Sequence, residues 1–87
     1  MTIAEPQIQV GLLQLLSDRG PAKTSGPSAV ARALSANDWR SRIPSVRAVG
    51  VSLAHAGEIE VRQQGQVVNP ETANAPIRYR LIPRRAD

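Results

Sequence analysis

The sequence has no cysteine and no phenylalanine, and its aromatic residues are Trp39 and Tyr79 alone. Without cysteine there is no disulfide framework, no thiolate metal site and no nucleophilic thiol, which agrees with a reducing, cytoplasmic setting. Without phenylalanine, the core of an 87-residue chain must come almost wholly from Leu, Val, Ile and Ala. So small a domain buries only about 60–65% of the surface that its unfolded chain exposes. Lysine is nearly missing as well: ten arginines and one lysine stand against seven acids, for a net charge of +4. Arginine suits bidentate contact with phosphate or carboxylate, so an anionic partner is expected. Up to residue 43 there are five cations and three acids, and beyond it six and four, so neither half forms a basic arm or an acidic tail. A long apolar run is also lacking, because Gln and Gly interrupt the opening MTIAEPQIQVGLLQLL well short of a membrane span. That opening has no cationic start of a secretory signal, and a mature chain without a membrane segment is the expectation.

The chemistry of catalysis is not assembled either. The serines have no His–acid pair, no glycine-rich phosphate loop follows a strand, and none of the seven acids has ligand spacing to His55, the one histidine. No enzyme, metal or cofactor is expected. His55 falls one turn from a helix end, where it suits a cap or a solvent-facing cation favoured by the helix dipole.

What is present is punctuation and period. Pro6, Pro27 and Pro44 each stand where a first helical residue wastes no hydrogen bond. A first helix is predicted over about 6–18, with Ile8, Leu12, Leu15 and Leu16 on one stripe and Val10 and Leu13 off it. Those two would be covered by the hairpin or the termini, or form a patch for a second copy. Ala22 to Gly26 reads as a short strand pairing with the later hairpin. A second helix over about 27–34 turns Val30, Ala31 and Leu34 inward, with Ser28 and Arg32 outward. Ser35 and Asp38 have capping-box spacing for a short helix over about 36–42, with Trp39 against the core or offered as a stacking platform. The next helix, about 44–56, puts Val46, Val49, Gly50 and Leu53 on its core face and stops at Gly57, with Gly50 allowing the second helix to approach. Beyond Gly57 the period becomes two. Ile59 and Val61 alternate with Glu58, Glu60 and Arg62, and Ile77, Tyr79 and Leu81 with Arg78 and Arg80, which define a hairpin over about 58–82. Arg78 and Arg80 would face Glu58 and Glu60 across it rather than form a basic stripe. The turn is expected at Gln63-Gln64-Gly65-Gln66, followed by a loop from Asn69 to Pro76.

This is an α+β domain of three or four helices and a two- or three-stranded antiparallel sheet, a single unit over 1–87, in the order of a winged helix. GPSAVARAL followed by PSVRAVGVSLAHAGEIEV resembles a winged helix-turn-helix motif over nearly the whole chain. More narrowly, KTSGPSAVARAL, NDWRSRIPSVRAV and LAHAGEIEVRQQGQVVNPETANAPIRYRL resemble a small bacterial family of single-domain proteins whose function is undefined. The broader resemblance implies a transcriptional regulator that binds double-stranded DNA. Ser45, Arg47, Ala48, Val51, Ser52 and His55 would then face the major groove, with Arg62, Gln63, Gln64 and Gln66 on the wing. Arg47 could donate two guanidinium hydrogens to a guanine edge, and Arg84 and Arg85 would add nonspecific phosphate attraction. The alternative is a winged helix that binds another protein and no DNA. A homodimer through Val10 and Leu13 would set two recognition helices about 34 Å apart.

Overall fold

A computed structural model of the chain describes residues 5–20, 22–73 and 76–82. Among these, three helices precede a small sheet: α1 (Glu5–Arg19), α2 (Pro27–Leu34), α3 (Trp39–His55), then β1 (Ile59–Gln63), β2 (Gln66–Val67) and β3 (Arg78–Leu81). The sheet is antiparallel with strand order β2-β1-β3. Ser25, in the segment before α2, joins it by a single bridge to Tyr79, so the expected short first strand is reduced to one residue pair. This α+β layout of three helices and three antiparallel strands fits a winged helix.

The core is built from the periodicities of the chain. Ile8, Leu12 and Leu16 of α1, Val30 and Ala31 of α2, and Val46, Val49 and Leu53 of α3 are buried together with Ile59, Val61, Ile77 and Tyr79 from the sheet side. Leu13 and Leu15 pack half-buried against this cluster, whereas Val10 is 66% exposed. Pro27 opens α2 at its first residue, as expected. The end of α3 is a Schellman cap: Gly57 has φ 77°, its N–H donates to Ala54 O at 3.1 Å, and the Glu58 N–H donates to Leu53 O at 3.0 Å. The β1–β2 hairpin turns through Gln64 (φ 52°) and Gly65 (φ 81°), a two-residue turn with both centres left-handed, the twist that matches the flanking strands.

Three expectations are corrected. The segments 36–42 and 44–56 are not two helices: α3 runs unbroken from Trp39 to His55 with Pro44 inside it. The apolar positions Trp39, Ile43, Val46, Gly50 and Leu53 are spaced four, three, four and three, so one stripe crosses the proline and packs on one core. Burying that stripe outweighs the bond Pro44 cannot donate to the Arg40 carbonyl. The capping box is not formed either. Ser35 ends α2, its N–H donating to Ala31 O at 2.9 Å. Asp38 precedes α3, where its carboxylate accepts from Ser41 Oγ at 2.6 Å and pairs with Arg42 at 3.2 Å. Gly50, lastly, does not make room for α2. A Cβ there would lie 2.8 Å from Cε1, Cζ and the hydroxyl oxygen of Tyr79, so the glycine seats the tyrosine ring of β3. The helix–helix role belongs to Gly11 of α1, whose missing Cβ faces the side chain of Leu34.

These two glycines are expected to respond oppositely to alanine. Gly50→Ala gains about 1 kcal/mol of helix propensity but presses a methyl into a fully buried ring, costing about 2–3 kcal/mol at the upper part of the overpacking range, so a net loss of about 1–2 kcal/mol is expected. Gly11→Ala needs only the end of the half-buried Leu34 side chain to turn, and should leave stability unchanged or raise it by up to about 1 kcal/mol. Urea unfolding followed by Trp39 fluorescence measures both, and equal effects would contradict the assigned contacts.

Candidate nucleic-acid interface

One side of α3 is turned to solvent and carries small side chains. Ser41, Ser45, Ala48 and Ser52 follow one another at helical spacing and are all exposed. The helix contains no acidic residue. Its neighbouring flank is engaged by the loop after β2. The Asn69 side chain accepts the Glu71 N–H at 2.9 Å and its carbonyl accepts the Ala73 N–H at 2.9 Å, which folds residues 69–73 back over the helix. Arg47 then donates to Ala73 O at 3.3 Å, and His55, two turns further on, lies 3.2 Å from the Glu71 carboxylate. Between helix and loop is an open cleft of about 290 Å³ lined by Arg47, Val51, Glu71, Ile77 and Tyr79 among others.

Arg47 also lines a second cleft of about 360 Å³, at the start of α2, together with Arg78 of β3. Arg78 lines a third, of about 240 Å³, with Arg62 of β1, Thr24 and Gly65. Three guanidiniums from three elements therefore follow one another along adjoining clefts. Arg62 and Arg78 are directly opposed in the β1–β3 register, an arrangement that costs energy unless each finds another partner. Arg62 finds Glu60 at 3.6 Å and Gly65 O at 3.0 Å. Arg78 donates to Thr24 Oγ1 at 2.6 Å and Thr24 O at 3.0 Å.

Of the residues expected at the site, Ser45, Ala48 and Ser52 stand together on the exposed side of α3, while Arg47 and Val51 are half-buried toward the loop and His55 is tied to Glu71. Gln63, Gln64 and Gln66 form the hairpin tip with Arg62 reaching back to it. Arg84 and Arg85 lie outside the described residues. The cross-strand pairing of charges is half right: Glu60 is opposite Arg80, 3.7 Å away, but Arg78 is opposite Arg62 and turns to Thr24. Arg78 is thus a cleft residue that the alternation alone concealed. The strand register, in which Glu58 accepts the Ile82 N–H at 3.0 Å, is the signal that reveals it. Arg32 and Arg40 were also missed. Their guanidiniums lie 4.2 and 4.6 Å from the centroid of the half-buried Trp39 ring, within cation–π range.

The chain is a small α+β domain whose layout fits a winged helix, with an acid-free helix, exposed on one side, beside a row of arginines. No described helix is long and apolar enough to cross a membrane. The chain belongs to the family described as protein of unknown function (DUF3253), whose model matches residues 5–82. Comparison with curated proteins returns no match.

Tyr79 closes the floor of the first cleft, its hydroxyl buried with no hydrogen-bond partner among the described residues. Burial pushes its pKa up from 10.0 to about 12, against a smaller lowering by the nearby Arg47 charge. The unfolded chain releases this proton near pH 10 and the folded one near pH 12. Stability is therefore fully present below pH 10 and falls as pH rises toward 12, by up to about 2–3 kcal/mol. Unfolding measured from pH 9 to 12 should show this slope in the natural chain and lose it in Tyr79→Phe. With Tyr79 the one tyrosine, phenolate absorbance reads the same titration directly, and a midpoint near 10 in the folded protein would overturn the assignment.

Proposed function

We propose that the domain is a winged helix that binds double-stranded DNA as a transcriptional regulator, with the exposed side of α3 toward the major groove and the β1–β2 hairpin along the phosphate backbone. The observation that carries this reading is the row formed by Arg47, Arg78 and Arg62 beside a helix without acidic residues. Phosphate contact by arginine supplies affinity and positions the protein, while small polar side chains on a helix let the backbone come close to base edges. Ser45, Ala48 and Ser52 would meet the bases. Arg47 would reach a guanine only by releasing Ala73 O. Gln63, Gln64 and Gln66 would follow the backbone or enter the minor groove, and Arg84 and Arg85 would add nonspecific attraction. A cytoplasmic location goes with this role.

A second reading, a protein-binding winged helix, is favoured by one observation. A cleft of about 280 Å³ between α3 and the sheet is lined by Ala54, Ile59, Val67, Pro70 and Ile82 among others. Val67 is 60% and Ile82 36% exposed there. Such apolar exposure suits a protein partner. Val10, exposed on α1, would serve the same purpose in a homodimer, with Leu13 contributing its uncovered part.

Fluorescence anisotropy of a labelled mixed-sequence duplex, from low to near-physiological salt, tests the DNA reading. Two phosphate contacts, by Arg62 and Arg78, predict a log–log salt slope of about −1.8, and Arg62→Gln or Arg78→Gln should each flatten it by about 0.9. Arg47→Ala should instead narrow the gap between preferred and random sequence by about 1–3 kcal/mol. No binding at low salt would remove DNA and leave the protein-binding reading.

A further inference from the structure

We infer that the cleft at the start of α2, between Arg47 and Arg78, is a binding site for a small organic anion: a carboxylate or phosphate carried on an apolar body. Arg42 is paired with Asp38, and Arg62 and Arg80 each reach Glu60. Among the described residues, Arg47 and Arg78 are bound to neutral oxygens, Ala73 O for the first and Thr24 Oγ1 and O for the second. Both line one cleft whose described lining residues include no carboxylate. An anion seated in this cleft is attracted by both positive charges. Each fork keeps donors uncommitted, in a geometry that matches a planar carboxylate or a phosphate. The field of the α2 helix has the same sign at this end, and no side chain caps its first turn.

The rest of the wall says what carries the charge. Ile43, Pro76 and Ile77 are apolar, and the volume of about 360 Å³ is at the lower end of small-molecule sites. This is room for about a dozen waters, or a ring with an acidic head. A phosphodiester of a duplex offers the charge but no apolar body to fill those walls. The site is therefore specific for the small anion, and the two ligands compete for the same pair of arginines. Binding of the anion stands apart from the DNA reading, whereas the competition rests on it.

Isotope-labelled protein titrated with phenyl phosphate, inorganic phosphate and benzyl alcohol tests the site. Phenyl phosphate should shift the amides of Ser28, Ile43, Arg47, Ile77 and Arg78 saturably and bind about tenfold tighter than inorganic phosphate. Benzyl alcohol should leave them unmoved. Arg47→Met and Arg78→Met should each weaken binding about tenfold, with urea midpoints reporting that both variants fold. Parity with inorganic phosphate, shifts centred elsewhere, or indifference to both variants would overturn the inference. In a separate arm, phenyl phosphate should release a labelled duplex from the natural chain and require about tenfold more ligand to do so in Arg78→Met. Cleft binding without duplex release overturns the competition alone. Cleft binding in a protein that takes up no duplex overturns the DNA reading and leaves the site standing.

Discussion

The Tyr79 ring lies against Gly50, and most of what is distinctive in this domain depends on that contact. A Cβ at position 50 would stand 2.8 Å from the ring, so the closeness of α3 to β3 is set by the absence of a side chain on one partner and the bulk of the other. The same tyrosine exchanges both backbone hydrogen bonds with Ser25, at 2.7 and 3.0 Å, and faces Val61 across the sheet. It therefore joins the segment before α2, the helix α3 and the strand β1 in one place. In a chain with two aromatic residues, a single large side chain does the joining that several would share in a richer core.

From that junction the geometry of the surface follows. With β3 held beneath α3, Ile77 and Arg78 come up beside Arg47, and the loop 69–73 that leads toward β3 is drawn across the helix, where Arg47 and His55 hold it. The flank of α3 bearing Arg47 and Val51 becomes a lined cleft with Ala48 at its edge, and the flank bearing Ser45 and Ser52 stays open. The two flanks differ in position by a single step along the helix, yet one has acquired partners from a loop more than twenty residues away. Tertiary contact produces that difference, because the partners of Arg47 and His55 lie in the loop 69–73.

Whatever rests on neighbours in the chain was legible beforehand: α2 from Pro27, the stop at Gly57, the alternation about Ile59 and Tyr79, the turn at Gln64-Gly65. Misreadings came where two local signals competed or where the partner was distant. Pro44 signals a helix start, and the stripe from Trp39 through Ile43 to Leu53 signals continuation. Burial of the stripe prevailed, since one lost hydrogen bond is a smaller cost than two exposed side chains of that size. Gly50 announced a close approach correctly but not to what, and Arg78 had a carboxylate within reach only in a register that the hairpin does not adopt. The exposed small-residue side of α3 was anticipated from helical spacing. The row through Arg78 was not, because it is assembled from three separate elements.

Small size also explains why structural and surface roles fall on the same side chains. Arg47 fastens the loop and lines two clefts; Arg78 fastens the segment at Thr24 and lines two. An anion that engages either guanidinium must therefore alter, or be favoured by, the position of the loop or of the segment leading into α2. For Arg47, the change in loop position that such an anion can bring about is bounded by what the arginine gives up: a single 3.3 Å hydrogen bond to a neutral carbonyl, worth about 1 kcal/mol. A tether this weak lets the guanidinium turn to a charged group at little cost, whereas the two bonds that hold Arg78 to Thr24 cost more to give up.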